Sequence, residues 1–201
     1  MAFLIGITGN SGCGQSTAAS YLKEHCSGIC SLDSLGHRLL NKDYVKREIA
    51  CEMDMPELAE SSSEQIRKVL GKTVFQDPDS MRVLNRIMHL RMRKWVAGAA
   101  AALSSRTGTW VLEGALIFEL ELDRYLSHVV TVAGTFQRCC ANLAARDGIT
   151  EEDVALRWRW QLPMEEKIRR ADRVLKNSLD LDYLRSGILT IFQDITEKPI
   201  Q

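Results

Sequence analysis

Short apolar runs alternate along the chain with longer stretches of helical periodicity, and each change of period marks an element boundary. Phe3–Thr8 is mostly apolar and short enough for a strand buried on both faces. GNSGCG follows, and from Gln15 to His25 the apolar Ala18, Ala19 and Leu22 fall at helical spacing. ICSLD (29–33) predicts a second strand ending in an aspartate. From about 35 to 104 the text is mainly helical. It runs LGHRLL, YVKREIACEM and SSSEQIRKVLG, the last with Ser61 and Glu64 spaced as a capping box. A long helix over roughly 79–104 follows the FQDPDS turn. TWVLEG (109–114) and SHVVTVAG (127–134) predict a third and a fourth strand. TFQRCCANLAARDG predicts a helix stopped by Gly148, and TEEDVALRWRWQL and PMEEKIRRA two short helices. DRVLKN (172–177) is the fifth strand, and DLDYLRSGILTIFQDI closes the chain as an amphipathic helix.

Short apolar strands alternating with helices predict an α/β fold with a parallel sheet covered on both faces. The reading is one domain, with its core at about 1–34, 105–139 and 172–201, a helical excursion at about 35–104 and a helical lid at about 140–171. The chain has 201 residues, 45% hydrophobic and 26% charged, as a globular protein should. Its 26 basic and 26 acidic residues cancel, which gives no support to a nucleic-acid partner. Six cysteines (13, 26, 30, 51, 139, 140) form no CxxC pair and no zinc pattern, so six reduced thiols in a cytoplasmic protein are expected. Residues 2–8 are too few for a signal core, and VAGAAAAL (96–103) is too short to cross a bilayer, so no membrane role is expected.

The candidate chemistry starts at the glycine-rich turn. Gly9, Gly12 and Gly14 permit a backbone that turns several N–H groups toward one anion, and a helix opening at Gln15 adds its positive end. Ser16 stands where a hydroxyl would reach Mg²⁺, and Thr17 follows. The pattern is G-x-x-x-x-G-K-[ST] in the required strand–turn–helix context, except that Gln15 replaces the lysine. Asp33 and Glu113 close predicted strands and should face the crevice beyond the strand ends. A carboxylate there can accept a hydroxyl proton or hold Mg²⁺, although an Asp in a βα turn is also a common helix cap. Arg138, Arg146, Arg157, Arg159, Arg169 and Arg170 gather in the later helices. Most suit a solvated face; Arg138 and Arg146, eight apart, can point toward one cleft and neutralise a transferring phosphoryl group.

These segments together resemble the dephospho-CoA kinase family over about 175 residues. GITGNSGCGQST is similar to its phosphate loop except at Gln15, and LDSLGH places Asp33 at the family's catalytic aspartate. VFQDP and LNRIMH (84–89) resemble its VF-x-D and LN-x-I-x-HP segments, with Leu90 for the proline. EGALIFE (113–119) resembles its acidic-x-PLLFE stretch, with Ala115 for the proline. TFQRCCANLAARDGIT is similar to the Q-x-x-R…RD run, and Gln161, Ala171-Asp172 and Asn177 fit later positions. The resemblance implies a P-loop kinase fold with a five-stranded parallel core sheet, a helical CoA-binding region and a lid. It also implies transfer of the ATP γ-phosphate to the ribose 3′-hydroxyl of dephospho-CoA, with Mg²⁺ on Ser16 and Asp33 as the base. Residues Gly9, Asn10, Ser11, Gly12, Cys13, Gly14, Gln15, Ser16, Thr17 and Asn177 would hold ATP. Thr8, Asp33, His89, Leu116, Phe118 and Glu119 would hold the CoA-like substrate, and Arg138 and Arg146 would close over the phosphates. Other small-molecule P-loop kinases and a nucleotide- or CoA-binding pseudokinase stay open at this stage. Oligomeric state is not legible.

Overall fold

The computed structural model describes residues 2–74, 77–178 and 180–197; Phe75 and Gln76 of the FQDPDS turn and of the VFQDP segment lie outside them. The chain divides into two compact units, one of Met1–Leu32 with Ala97–Gln201 and one of Asp33–Val96. In the first unit the strands are β1 (Phe3–Thr8), β2 (Gly28–Ser31), β3 (Thr109–Glu113), β4 (His128–Ala133) and β5 (Arg173–Lys176). All pair in parallel in the order β2-β3-β1-β4-β5. β1 is central, and its Gly6–Thr8 is wholly buried, as a strand sandwiched between helical layers must be. Register places Glu113 opposite both Ile7 and Ser31, so the carboxyl ends of β1, β2 and β3 lie level. That alignment puts the phosphate-loop motif and Glu113 at the carboxyl ends of the strands, where open parallel sheets bind ligands.

The helices are α1 (Gln15–Ser20), α2 (Leu32–Leu40), α3 (Asp43–Glu52), α4 (Ser63–Thr73), α5 (Pro78–Leu103), α6 (Phe136–Asp147), α7 (Glu151–Arg159), α8 (Met164–Arg170) and α9 (Leu181–Glu197). Against the sheet's Ile5, Ile7, Val111, Val130 and Val132 pack Ala18, Ala19 and Leu22. Leu184, Ile188, Phe192 and Ile195 of α9 join the same cluster at helical spacing. In the second unit α5 is tied to α3 by Arg91, which pairs with Glu48 and lies 5.7 Å from the Tyr44 ring, and by Arg86 with Glu52.

Three local expectations shift. The first helix is shorter than 15–25: after Ser20 the chain continues in tight turns, with Tyr21, Leu22 and His25 bonding three residues back, which still buries Leu22 fully. The second strand ends at Ser31, because buried Leu32 opens α2 by packing beneath Gly114, where a Cβ would come within 2.6 Å of it. Asp33 is therefore an exposed first-turn helix residue. The capping box uses Ser62 and Gln65, one residue later than expected, with bonds of 2.9 and 3.3 Å. Gly148 stops α6 in the left-handed conformation, as its sequence context required.

Candidate phosphate-binding site

Loop residues Gly12 and Gly14 have φ of 87° and 94°, values that side-chain-bearing residues resist. A Cβ on Gly12 would sit 2.5 Å from the carbonyl of Cys139, and one on Gly14 2.6 Å from the Asn177 amide, so the backbone is pressed against its neighbours. Those neighbours hold it by its own polar groups. Asn177 Nδ2 donates to the Cys13 carbonyl at 3.0 Å and Asn142 Nδ2 to the Gly12 carbonyl at 2.9 Å. Gln161 is bidentate on Ser11, accepting from its N–H at 2.9 Å and donating to its hydroxyl at 2.7 Å. The Trp158 indole donates to the Ser11 carbonyl, and Asn10 Nδ2 to the Leu162 carbonyl. Carbonyls that would repel an anion are thus tied back, which suits a loop meant to present N–H groups to phosphate.

At the loop's far end the Ser16 hydroxyl donates to Glu113 Oε2 at 3.0 Å. Two hard oxygens from the loop helix and a strand end fit the sparse protein share of a Mg²⁺ shell, which leaves room for phosphate oxygens and water. Gln15, the first residue of α1, is 8% exposed, so the position normally given to lysine is packed, not open.

The remaining sequence candidates fall as follows. Thr8 is fully buried, its hydroxyl 3.5 Å from the Ala115 carbonyl. Leu116 is half-buried, and Phe118 is 2% exposed beneath Arg170, whose guanidinium lies 4.5 Å from the ring centre and pairs with Asp123. On α6, Arg138 donates to the Ser178 carbonyl, whereas Arg146 makes a bidentate pair with Asp147 that holds that carboxyl below its ordinary range. In the helical unit, Asp33 is exposed, and His89 is half-buried in an open groove of about 520 Å³ lined by Arg82, Asn85, Arg86, Leu90 and Arg93.

Glu119 is engaged by a residue that sequence reasoning missed. Its Oε1 accepts from Lys167 Nζ at 2.8 Å and from the Leu162 N–H at 2.7 Å. Lys167 is wholly buried and also donates to the Ala115 carbonyl. Burial pushes its ammonium below the ordinary lysine value, and Glu119 opposes that push. Through Leu162 this pair braces the segment that grips Asn10 and Ser11. Lys167→Met is expected to cost about 3–5 kcal/mol of stability, because it strands the Glu119 carboxylate. Denaturant unfolding of Lys167→Met beside the double variant Lys167→Met/Glu119→Leu checks this: the double variant should regain most of the loss. Asn142 and Trp158 were also missed, and no pattern of residue type marks either one.

A family model described as dephospho-CoA kinase matches residues 3–182. The chain is 29% identical over 195 residues to a dephospho-CoA kinase of Aquifex aeolicus, covering 97% of this chain and 98% of that one. It is 31% identical over 198 residues to one of Leptospira interrogans, with 98% and 94% covered. Among solved structures, a Thermus thermophilus protein superposes with a TM-score of 0.74 at 30% identity, covering 97% and 98% of the two chains. A shikimate kinase of Acinetobacter baumannii, at 14% identity and a TM-score of 0.53 with 100% and 97% covered, shares the fold.

Proposed function

The chain belongs to the dephospho-CoA kinase family, and from that membership we propose which of its residues carry the phosphoryl transfer. The reaction is ATP-dependent phosphorylation of dephospho-CoA at its ribose 3′-hydroxyl, the last step of CoA biosynthesis. The full-length match carries this reading over a nucleoside kinase, a shikimate-type kinase or an inert binder.

ATP phosphates lie against the loop of residues 9–17, whose carbonyls are tied back by Asn142, Trp158 and Asn177. Ser16 and Glu113 would hold Mg²⁺, which would supply charge neutralisation to the ATP phosphates. Asp33 orients the 3′-hydroxyl and accepts its proton as the oxygen attacks in line. His89 and Leu116 bear on the CoA-like substrate, whereas Thr8 and Phe118 are buried and support that region without touching substrate, and Glu119 acts on it through Leu162. Arg138 and Arg146 supply positive charge from α6, which requires Arg146 to exchange its surface bond to Asp147 for phosphate. Such an exposed pair is worth about 0–1 kcal/mol, so the exchange is easy. Residues 35–104 act as the substrate-recognising region and 140–171 as the lid. Among the described residues no helix is long and apolar enough to cross a membrane.

An ADP-release assay with ATP and Mg²⁺ tests the function. Release should require dephospho-CoA, should not follow from nucleosides or shikimate, and should stop on chelation. Turnover of a nucleoside with none of dephospho-CoA would overturn the reading.

A further inference from the structure

Two thiol side chains are given no step in this chemistry, although the backbone of one of them belongs to the phosphate loop. Cys13 lies in the phosphate loop and Cys139 in the first turns of α6, 126 residues apart in the chain, yet their sulfurs are 2.7 Å apart. A sulfur–sulfur bond is about 2.05 Å long, so these atoms are already near bonding distance. Both are buried in one small cluster with Met164, with Ala133 and Trp158 packed against it. Gly134 makes room for them: a Cβ there would fall 3.1 Å from the Cys139 sulfur and 3.6 Å from that of Cys13. The two thiols are also unlike. Their mutual bond and burial raise the Cys139 thiol; the same bond lowers the Cys13 thiol, a shift that burial opposes and the buried Lys167 ammonium slightly assists. Burial pushes the Cys26 and Cys140 thiols up instead.

We propose that Cys13 and Cys139 form a redox-modification site, at which hydrogen peroxide closes an intramolecular disulfide that fastens the phosphate loop to α6 and lowers turnover. The Cys13 thiolate attacks one peroxide oxygen and the O–O bond breaks, leaving a sulfenic acid and a hydroxide that takes up the thiol's proton to become water. The Cys139 sulfur then attacks the sulfenic sulfur. The S–S bond forms, the S–O bond breaks, and the departing hydroxide takes the Cys139 proton as a second water. Two thiols lose two electrons, and one peroxide becomes two waters. A dithiol reductant reverses the step by exchange. Cys13 sits between Gly12 and Gly14, and its carbonyl is held by Asn177, so a cross-link there restrains the backbone that presents N–H groups to phosphate. Small misplacements of such groups are costly, and a loss of about tenfold in turnover is expected.

The cross-link rests on sulfur geometry alone; its effect on turnover rests on the kinase reading. The test treats the intact protein with hydrogen peroxide, alkylates the remaining thiols and maps peptides by mass. The expected result is a loss of two hydrogens, a peptide pair joining Cys13 to Cys139, and a tenfold fall in ADP release that dithiothreitol restores. Cys139→Ser should keep basal turnover and lose sensitivity to peroxide. Oxidation of exposed Cys51 with no Cys13–Cys139 pair would overturn the proposal, as would a full cross-link with unchanged turnover. If the reduced protein released no ADP at all, the kinase reading would fail while the peptide map still decided whether the cross-link forms.

Discussion

Asp33→Asn is expected to lower kcat by about a hundred- to ten-thousandfold, the usual worth of a positioned general base, while ATP binding stays nearly intact. The substitution preserves size and removes only the ability to accept a proton. A second role for Asp33 exists: it is an acidic residue in the first turn of α2, where a negative charge favours the helix. That effect is worth only about 0.3–1 kcal/mol in stability and leaves the chemical step alone. The two roles therefore separate cleanly. A base predicts a collapse of kcat with a small change in melting temperature; a helix-end charge predicts the small change alone. Stopped turnover with unaltered ATP affinity, measured by calorimetry, would support the base, whereas wild-type kcat in Asp33→Asn would remove it.

Gln15→Lys is expected to raise kcat by about a hundred- to thousandfold. A charged donor aimed at developing phosphate charge is worth about 3–4 kcal/mol, and a neutral amide supplies only part of that. The free protein should become less stable, because Gln15 is 8% exposed and an ammonium there loses water before it gains a phosphate. ATP restores the partner. The ATP-induced rise in melting temperature should therefore be larger in Gln15→Lys than in the parent, even though its ATP-free melting temperature is lower. An unchanged kcat would mean that another cation already serves the phosphates. Triple comparison with Arg138→Ala and Arg146→Ala would then identify it.

Much of the sheet and of the loop was legible because its signals are local. β1, the glycine turn and α1 occupy consecutive residues, and glycine spacing, apolar runs and a Ser-Thr helix start each act within a few positions. Where neighbouring residues carry equal signals, the text does not choose between registers. Ser61, Ser62 and Ser63 are equivalent as text, and the box at Ser62 and Gln65 is the register that leaves Ile66 and Leu70 buried. Asp33 reads as the end of a strand because ICSLD is a continuous run, yet Leu32 packs under Gly114 and the strand stops two residues earlier, at Ser31.

The sequence by itself determined the order of elements, the parallel sheet and the phosphate-loop chemistry, since each follows from short-range periodicity and backbone freedom. Only the tertiary structure decided that Lys167, written among charged neighbours in PMEEKIRRA, is a wholly buried cation paired with Glu119. The same holds for Asn142 and Trp158 on the loop carbonyls, and for Cys13 against Cys139. Loss of water and the meeting of groups far apart in the chain set these contacts, and neither leaves a mark on neighbouring residues.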